Sequence, residues 1–362
     1  MKKVLTFLGT RPEIIKLSPL VPLLGERFLH VLVHSGQHYS FAMDEVFFRE
    51  LELPAPNYAL AVGSASHGEQ TARMLARLEP ILLDERPDMV LVQGDTNTTL
   101  AGGLAAAKLG IPVAHLEAGC RSFNRHMPEE LNRVVVDHLA ALLLAPDEAA
   151  NRNLLAEGLP ASQTFVTGSS AIDAVRRNQR FAESSTILER MELAPGGYLA
   201  LTMHRAENTT PDRLPGIIRA LTEIASEHTI VFPVHPRTAA ALEQQGLALP
   251  PQIRACEPLG YLDTLKLVGS ARALLTDSGG LQEEAAALGT PALILRNETE
   301  WSYLVDAGVH VLIGASYESI HDGAGIWLEP AALNRLVAVP APVWPGASER
   351  ALDAIATYLG NN

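Results

Sequence analysis

The chain is short of cysteine, of positive charge and of long apolar runs, and each shortage excludes a class of protein. Its two cysteines, Cys120 and Cys256, lie far apart without metal-ligand spacing, which fits a reducing cytoplasm rather than a disulfide framework. Lysine and arginine number 28 against 41 acidic residues, a formal net charge of -13, whereas nucleic-acid binding would require a basic face. No apolar run approaches the roughly 20 residues of a membrane span. The stretch Leu139 to Ala145 is closed off by His138 and by Pro146-Asp147, and the apolar residues after Lys2-Lys3 are interrupted by Arg11 and Glu13, too soon for a signal-peptide core. A soluble cytoplasmic protein with no membrane and no nucleic-acid partner is expected. Gly-x-Gly-x-x-Gly is also absent, so no bound nicotinamide cofactor is indicated.

What is present is alternation. With 362 residues and 47% hydrophobic content, the chain can bury two ordinary domain cores. Apolar runs at 3–8, 29–34, 88–93, 112–116, 141–145 and 164–167 read as strands, separated by helix-period stretches such as 68–86, 97–109 and 129–139. A polar, aperiodic stretch over 175–196 follows, and a second series of strands begins, at 198–203, 229–234, 252–256, 271–276 and 291–295. Such strands joined by helices imply parallel sheets covered on both faces, with ligands at the carboxyl ends. The expected fold is α/β, with a Rossmann-like domain over 1–172, a second over 173–346, and a last helix over 347–362 packing back on the first. The two sheets are expected to face each other across a cleft.

Two strand-to-helix junctions suit an anion. At Asp277-Ser278-Gly279-Gly280-Leu281-Gln282-Glu283-Glu284 an apolar run stops and a helix-like stretch begins, so backbone N–H groups at a helix start can meet a phosphate and the glycines permit its close approach. At Gly9-Thr10-Arg11-Pro12-Glu13 a second such turn carries Pro12 near the first helical position, with Arg11 and Lys16 beside it. Either turn could serve only to make the bend. For an anionic ligand of an acidic protein, the cations at strand ends are the candidates: Arg11, Lys16, His204, Arg205, His235, Arg237 and Arg296. Carboxylates also gather at predicted strand ends: Asp95 after Gln93-Gly94, Glu117 after His115-Leu116, and Glu129 at the opening of a helix that carries Arg133. Asp95 and Glu129 could be ordinary helix caps, whereas Glu117 precedes Ala118-Gly119 rather than a cap. Carboxylates in a partly dry site suit proton transfer near neutral pH. His204 and His235 lack metal-ligand spacing, and no metal is expected.

These segments, together with Pro128-Glu129-Glu130-Leu131-Asn132-Arg133, His204-Arg205-Ala206-Glu207-Asn208 and His235-Pro236-Arg237, resemble in order the non-hydrolysing UDP-N-acetylglucosamine (UDP-GlcNAc) 2-epimerases over nearly the whole chain. The resemblance implies the two-domain GT-B architecture and interconversion of UDP-GlcNAc with UDP-ManNAc. The route it implies is loss of UDP and the C2 proton to a 2-acetamidoglucal, then re-addition. It places acid–base carboxylates at Asp95, Glu117 and Glu129, a catalytic histidine at His204, and nucleotide and diphosphate contacts at Arg11, Lys16, His235, Ser278, Gly279, Gly280 and Glu284. Arg133, Arg205 and Arg296 are counted with the substrate-binding residues. The resemblance also implies a homodimer acting in cell-surface polysaccharide biosynthesis, and a second UDP-GlcNAc site near Gln37-His38 and Gln70/Arg73. Hydrolysing relatives usually carry Gly-Thr-Arg-Ala-Asp at the first turn, so Pro12-Glu13 points to the non-hydrolysing branch.

Two segments depart from the family pattern. Thr299-Glu300-Trp301-Ser302-Tyr303 stands where Thr-Glu-Arg-Pro-Glu is usual, and the tryptophan version resembles the branch that epimerises UDP-2,3-diacetamido-2,3-dideoxyglucuronic acid. Val343-Trp344-Pro345-Gly346 replaces the usual Asn-Pro-Tyr-Gly-Asp-Gly, so contacts from that segment are not carried over. The expected substrate is UDP-GlcNAc, with the uronic acid as the alternative and a GT-B glycosyltransferase behind both.

Overall fold

The computed structural model describes residues 1–37 and 47–360. His38, named above with a second nucleotide-sugar site, lies outside the described residues. The chain divides into two compact units, Met1–Ala174 with Trp344–Asn362, and Val175–Val343.

The first unit is built on strands β1 (Lys3–Leu8), β2 (Leu29–His34), β3 (Tyr58–Ala59), β4 (Met89–Gln93), β5 (Val113–Leu116), β6 (Leu142–Ala145) and β7 (Thr164–Val166). They pair in parallel in the order β3-β2-β1-β4-β5-β6-β7. The second unit holds β8 (Leu199–Thr202), β9 (Ile230–Pro233), β10 (Ile253–Cys256), β11 (Ala273–Thr276), β12 (Ala292–Ile294) and β13 (Val311–Leu312), parallel in the order β10-β9-β8-β11-β12-β13. Both are Rossmann-like orders. Each reverses direction beside its first strand, between β1 and β4 and between β8 and β11, and ligands bind parallel sheets at such switch points.

Burial on both faces explains why the strands read as unbroken apolar runs. In the second sheet, Leu199, Leu201, Phe232, Leu275 and Leu293 enter one core, while Tyr198, Ala200, Val231, Leu274 and Ile294 enter the other. This is the period of two that a strand imposes on its side chains. The helix Leu214–Ala225 covers the first of these faces with Leu214, Ile217, Ile218 and Leu221. In the first unit, the helix Ala347–Gly360 packs on the helix Leu20–Arg27, where Arg27 Nη1 meets Asp353 Oδ1 at 2.7 Å.

Two local features depart from the sequence reading. The two-residue edge strands β3 and β13 are too short to show as apolar runs. The polar stretch Arg176 to Arg180 is not aperiodic chain but the later turns of a helix, Ser170–Ala182, anchored by buried Ala171, Ile172, Ala174, Val175 and Ala182. His30 and His34 have H-x-x-x-H spacing but occupy a strand, where four residues span about 13 Å, too far to share a metal.

Candidate active site

At the first switch point, Glu13 locks the turn after β1 to the turn after β4. It is buried at the start of the helix Arg11–Leu17, with Pro12 in the opening positions. One carboxylate oxygen accepts from Gly9 N (2.9 Å) and Thr10 N (2.7 Å), and the other from Thr96 Oγ1 (2.8 Å) and Thr99 Oγ1 (3.2 Å). Burial raises its pKa, and these hydrogen bonds hold the rise in check. Gly9 must be glycine for a packing reason: a Cβ there would lie 1.8 Å from Ser35 Oγ and 2.6 Å from Thr98 Oγ1.

Asp95 and Glu117 follow adjacent strands, β4 and β5, and each meets a cation. Lys16 Nζ lies 2.6 Å from Glu117 Oε1, and Gln93 Nε2 donates to Glu117 Oε2 at 2.6 Å. Glu117 adopts a left-handed φ of +69°, a conformation that costs a non-glycine residue roughly 1–3 kcal/mol and that collects at functional sites. Its own N–H and that of Ala118 donate to Leu144 O, which helps hold the turn. Gly94 packs against it, a Cβ there standing 3.7 Å from Glu117 Oε2. Asp95 Oδ2 accepts from Arg133 Nε (2.9 Å) and Nη2, while Asp95 O accepts from Asn132 Nδ2. Arg133 Nη1 also reaches Glu130 Oε2 at 2.9 Å. Glu129, in the first turn of the helix Pro128–Leu139, lines a cavity of about 430 Å³ with Asp95, Asn97, Asn132, His67 and Gln70. Arg11 lays its guanidinium 4.8 Å from the Phe47 ring centroid.

At the second switch point the organising residue is Asp277, wholly buried after β11. Its carboxylate accepts from His204 N (3.0 Å), Arg205 N (2.9 Å) and Asn208 Nδ2 (3.2 Å), and its Oδ1 lies 3.3 Å from His204 Nδ1. Burial opposes ionisation, but these donors hold Asp277 below the ordinary carboxylate range. The carboxylate at Nδ1 favours a proton on that nitrogen, which leaves Nε2 of a neutral His204 as the ring's base. His235 caps the helix Pro236–Gln244 by accepting Arg237 N at Nδ1 (3.1 Å), and its ring centroid lies 5.4 Å from that of His204. Burial, then the neighbouring His204 and Arg237 charges, lower its pKa.

Ser278 and Gly279 lead into the helix Gly280–Leu288, whose second turn carries Glu284. Beside Gly279 stand Arg205, Glu300 and Trp301, with Arg205 Nη2, Glu300 Oε2 and Trp301 Nε1 at 3.5, 3.6 and 3.8 Å from where a Cβ would be. Glu300 joins Arg205 (3.3 Å) to Arg296 (2.6 Å). Burial works against its charge, but the Arg296 hydrogen bond and both arginine charges hold its pKa down to about 2. Thus Arg11, Lys16, Asp95, Glu117, Glu129 and Arg133 gather at the carboxyl edge of the first sheet. His204, Arg205, His235, Ser278, Gly279, Gly280, Glu284 and Arg296 belong to the second. Lys16 and Arg133, expected to meet substrate, are ion-paired to the carboxylates beside them.

The family model for UDP-N-acetylglucosamine 2-epimerase matches residues 24–356. The chain belongs to that family. As a member of this epimerase family it is an isomerase-type enzyme. It is 45% identical over 338 residues to UDP-N-acetylglucosamine 2-epimerase of Methanocaldococcus jannaschii, covering 90% of this chain and 92% of that one. A crystal structure of UDP-GlcNAc 2-epimerase from that organism, in complex with UDP-GlcNAc and UDP, is similar with a TM-score of 0.87 at 43% identity, covering 99% and 100% of the two chains. The UDP-2,3-diacetamido-2,3-dideoxy-D-glucuronate 2-epimerase of Pseudomonas aeruginosa is 41% identical over 328 residues, 89% of this chain and 91% of its own. A calicheamicin glycosyltransferase shares the fold alone, with a TM-score of 0.56 at 16% identity over 99% and 98% of the chains. The epimerase fold is thus of the GT-B type, with two Rossmann-like units.

Sequence reasoning left three supports of this site without a role. Glu13 was legible as the last member of a Thr-x-x-Glu capping box, Thr10 to Glu13. Asp277 opens the Asp277–Glu284 turn, but nothing in the sequence shows that its carboxylate faces His204 and Arg205. Asp137 sits at helical spacing from Glu129 and Arg133, and its partners are long-range.

Proposed function

We infer that this epimerase interconverts UDP-GlcNAc and UDP-ManNAc without hydrolysis. The C2 hydrogen and UDP leave on opposite faces to give 2-acetamidoglucal, C2 is reprotonated on its other face, and UDP returns to C1. The observation that carries this reading is the pair of carboxylates at the ends of neighbouring strands, Asp95 with Arg133 and Glu117 with Lys16, near Glu129 on the adjoining helix. Epimerisation needs one group to take a proton and another to deliver one from the opposite side, and carboxylates coupled to cations suit both. The C2 hydrogen is not next to a carbonyl, so departure of the diphosphate must carry much of the driving force. In the second unit Ser278, Gly279 and Gly280, His235, and the Arg205–Glu300–Arg296 group are assigned to UDP. A preorganised donor to the leaving oxygen there can lower the barrier by roughly 3 kcal/mol. His204, oriented by Asp277, is assigned to proton transfer or to the leaving phosphate. The same reading makes the enzyme a cytoplasmic homodimer that feeds cell-surface polysaccharide synthesis. Incubation with UDP-GlcNAc alone, with no acceptor, should yield UDP-ManNAc by proton NMR, and its absence would reject this substrate pair.

A second substrate is favoured by one observation. Trp301 stands with Arg205 and Glu300 beside Gly279, where the family usually has arginine, and an indole offers a broad apolar face and one donor instead of a two-pronged cation. The diacetamido glucuronate is therefore the alternative substrate, with the same carboxylate chemistry.

A further inference from the structure

Asp137 lies wholly buried on the helix Pro128–Leu139, four residues beyond Arg133 and eight beyond Glu129. Its two oxygens serve different segments. Oδ1 meets His115 Nδ1 at 2.6 Å, while Oδ2 accepts from Gly119 N (3.0 Å) and Arg121 Nη2 (2.7 Å). The other ring nitrogen of His115, Nε2, lies 2.8 Å from Gly94 O. A carbonyl oxygen only accepts, so Nε2 carries a proton, and the short Nδ1–Oδ1 contact holds a second proton between ring and carboxylate. Burial alone would drive that proton off, but the Asp137 charge and the hydrogen bonds outweigh it and raise the pKa of His115. Burial likewise opposes the Asp137 charge, yet His115 and Arg121 keep its pKa low. Arg121 is in turn balanced by Glu157, which His138 also approaches. The remaining charges near the ring are Glu117, which attracts it, with Lys16 on Glu117 and Arg133 on Asp95.

The connectivity matters more than any one bond. Asp95 follows Gly94 directly, Glu117 lies between His115 and Gly119, and Glu129 rides on the helix of Asp137. One buried carboxylate therefore ties together the three segments that bear the acid–base candidates. We propose that Asp137, acting through His115 and Gly119, is the positioning residue that sets the relative placement of Asp95, Glu117 and Glu129. The proposal rests on the acid–base reading of those three carboxylates. It does not make Asp137 or His115 a group that touches substrate.

Asp137→Asn keeps the shape and removes the charge, and His115→Gln keeps a donor but cannot span both partners. Each is compared with the unaltered enzyme by thermal unfolding, UDP calorimetry, and kcat and KM against pH, with UDP-GlcNAc and the diacetamido glucuronate as substrates. The expected result is a folded variant with ordinary UDP affinity and KM, and kcat reduced roughly 10- to 100-fold, the scale of a small misplacement of reacting groups. For His115→Gln the kcat/KM profile against pH should also change shape, because the ring that faces Glu117 is lost. A folded variant with unchanged kcat and a superimposable profile overturns the proposal. If Asp137→Asn does not fold, His115→Gln decides, and failure of both to fold assigns the pair to stability and overturns it too. An unaltered enzyme that epimerises neither sugar defeats the acid–base reading itself and the proposal with it. An active enzyme whose variants match it defeats only the positioning role.

Discussion

Replacing Glu117 by glutamine separates chemistry from binding and from folding. The substitution preserves length and leaves an oxygen to accept from Lys16 Nζ or Gln93 Nε2, whose present distances are 2.6–2.8 Å. What disappears is the charge and the ability to exchange a proton. Lys16 is only 21% exposed and Glu117 11%, so losing their ion pair should be felt, but the retained hydrogen bonds and solvent at Lys16 limit the cost to about 1 kcal/mol. In a unit of this size, that is a fall of roughly 2–4 °C in Tm. The kinetic effect should be far larger: loss of a general acid or base lowers kcat by at least about 100-fold, or roughly 2.7 kcal/mol of barrier. UDP, assigned to the other unit, should bind as before. Stopped NMR assays give kcat, calorimetry gives the UDP Kd, and scanning calorimetry gives Tm. A variant with near-normal kcat, or one whose main defect is UDP affinity, would refute the role given to Glu117.

Gly9→Ala should lower stability by about 1–3 kcal/mol in urea titration, because its Cβ would collide with Ser35 Oγ at 1.8 Å and with Thr98 Oγ1 at 2.6 Å. Glu300 has a folded pKa of about 2 against an ordinary 4.5, so the stability it adds is present above pH 4.5 and disappears as pH falls toward 2. Glu300→Gln should accordingly flatten the acid limb of a Tm-against-pH curve in that window, and an unaltered limb would disprove the coupling. If Trp301 only packs beside the site, kcat/KM should favour UDP-GlcNAc over the diacetamido glucuronate; a preference of about tenfold or more for the uronic acid, about 1.4 kcal/mol, reverses the substrate assignment.

The fold was legible because a parallel sheet covered on both faces requires apolar runs, and runs such as Val4 to Leu8 and Val90 to Val92 announce its middle strands. Two of the four edge strands were not, since Tyr58–Ala59 and Val311–Leu312 are two residues long and give periodicity nothing to act on, whereas the edges Thr164–Val166 and Ile253–Cys256 were long enough to read. The helix Ser170–Ala182 was obscured because only its buried stripe is apolar, and Arg176 to Arg180 hide that stripe. In the site, carboxylates and cations could be placed at strand ends from sequence alone. Their pairing could not: Lys16 reaches Glu117 across 101 positions and Arg133 reaches Asp95 across 38. Nor does any residue type signal the left-handed backbone of Glu117, a conformation held by the surrounding turn rather than favoured by its own side chain.

The central claim is that C2 loses its proton to the enzyme together with the departure of UDP. Turnover of UDP-GlcNAc in deuterated water tests it most directly, because the proton taken from one face should exchange with solvent before the other face is reprotonated. The account predicts deuterium at C2 of the UDP-ManNAc formed, seen as loss of the C2 proton signal by NMR. Retention of the original hydrogen at C2 in every product molecule would contradict it.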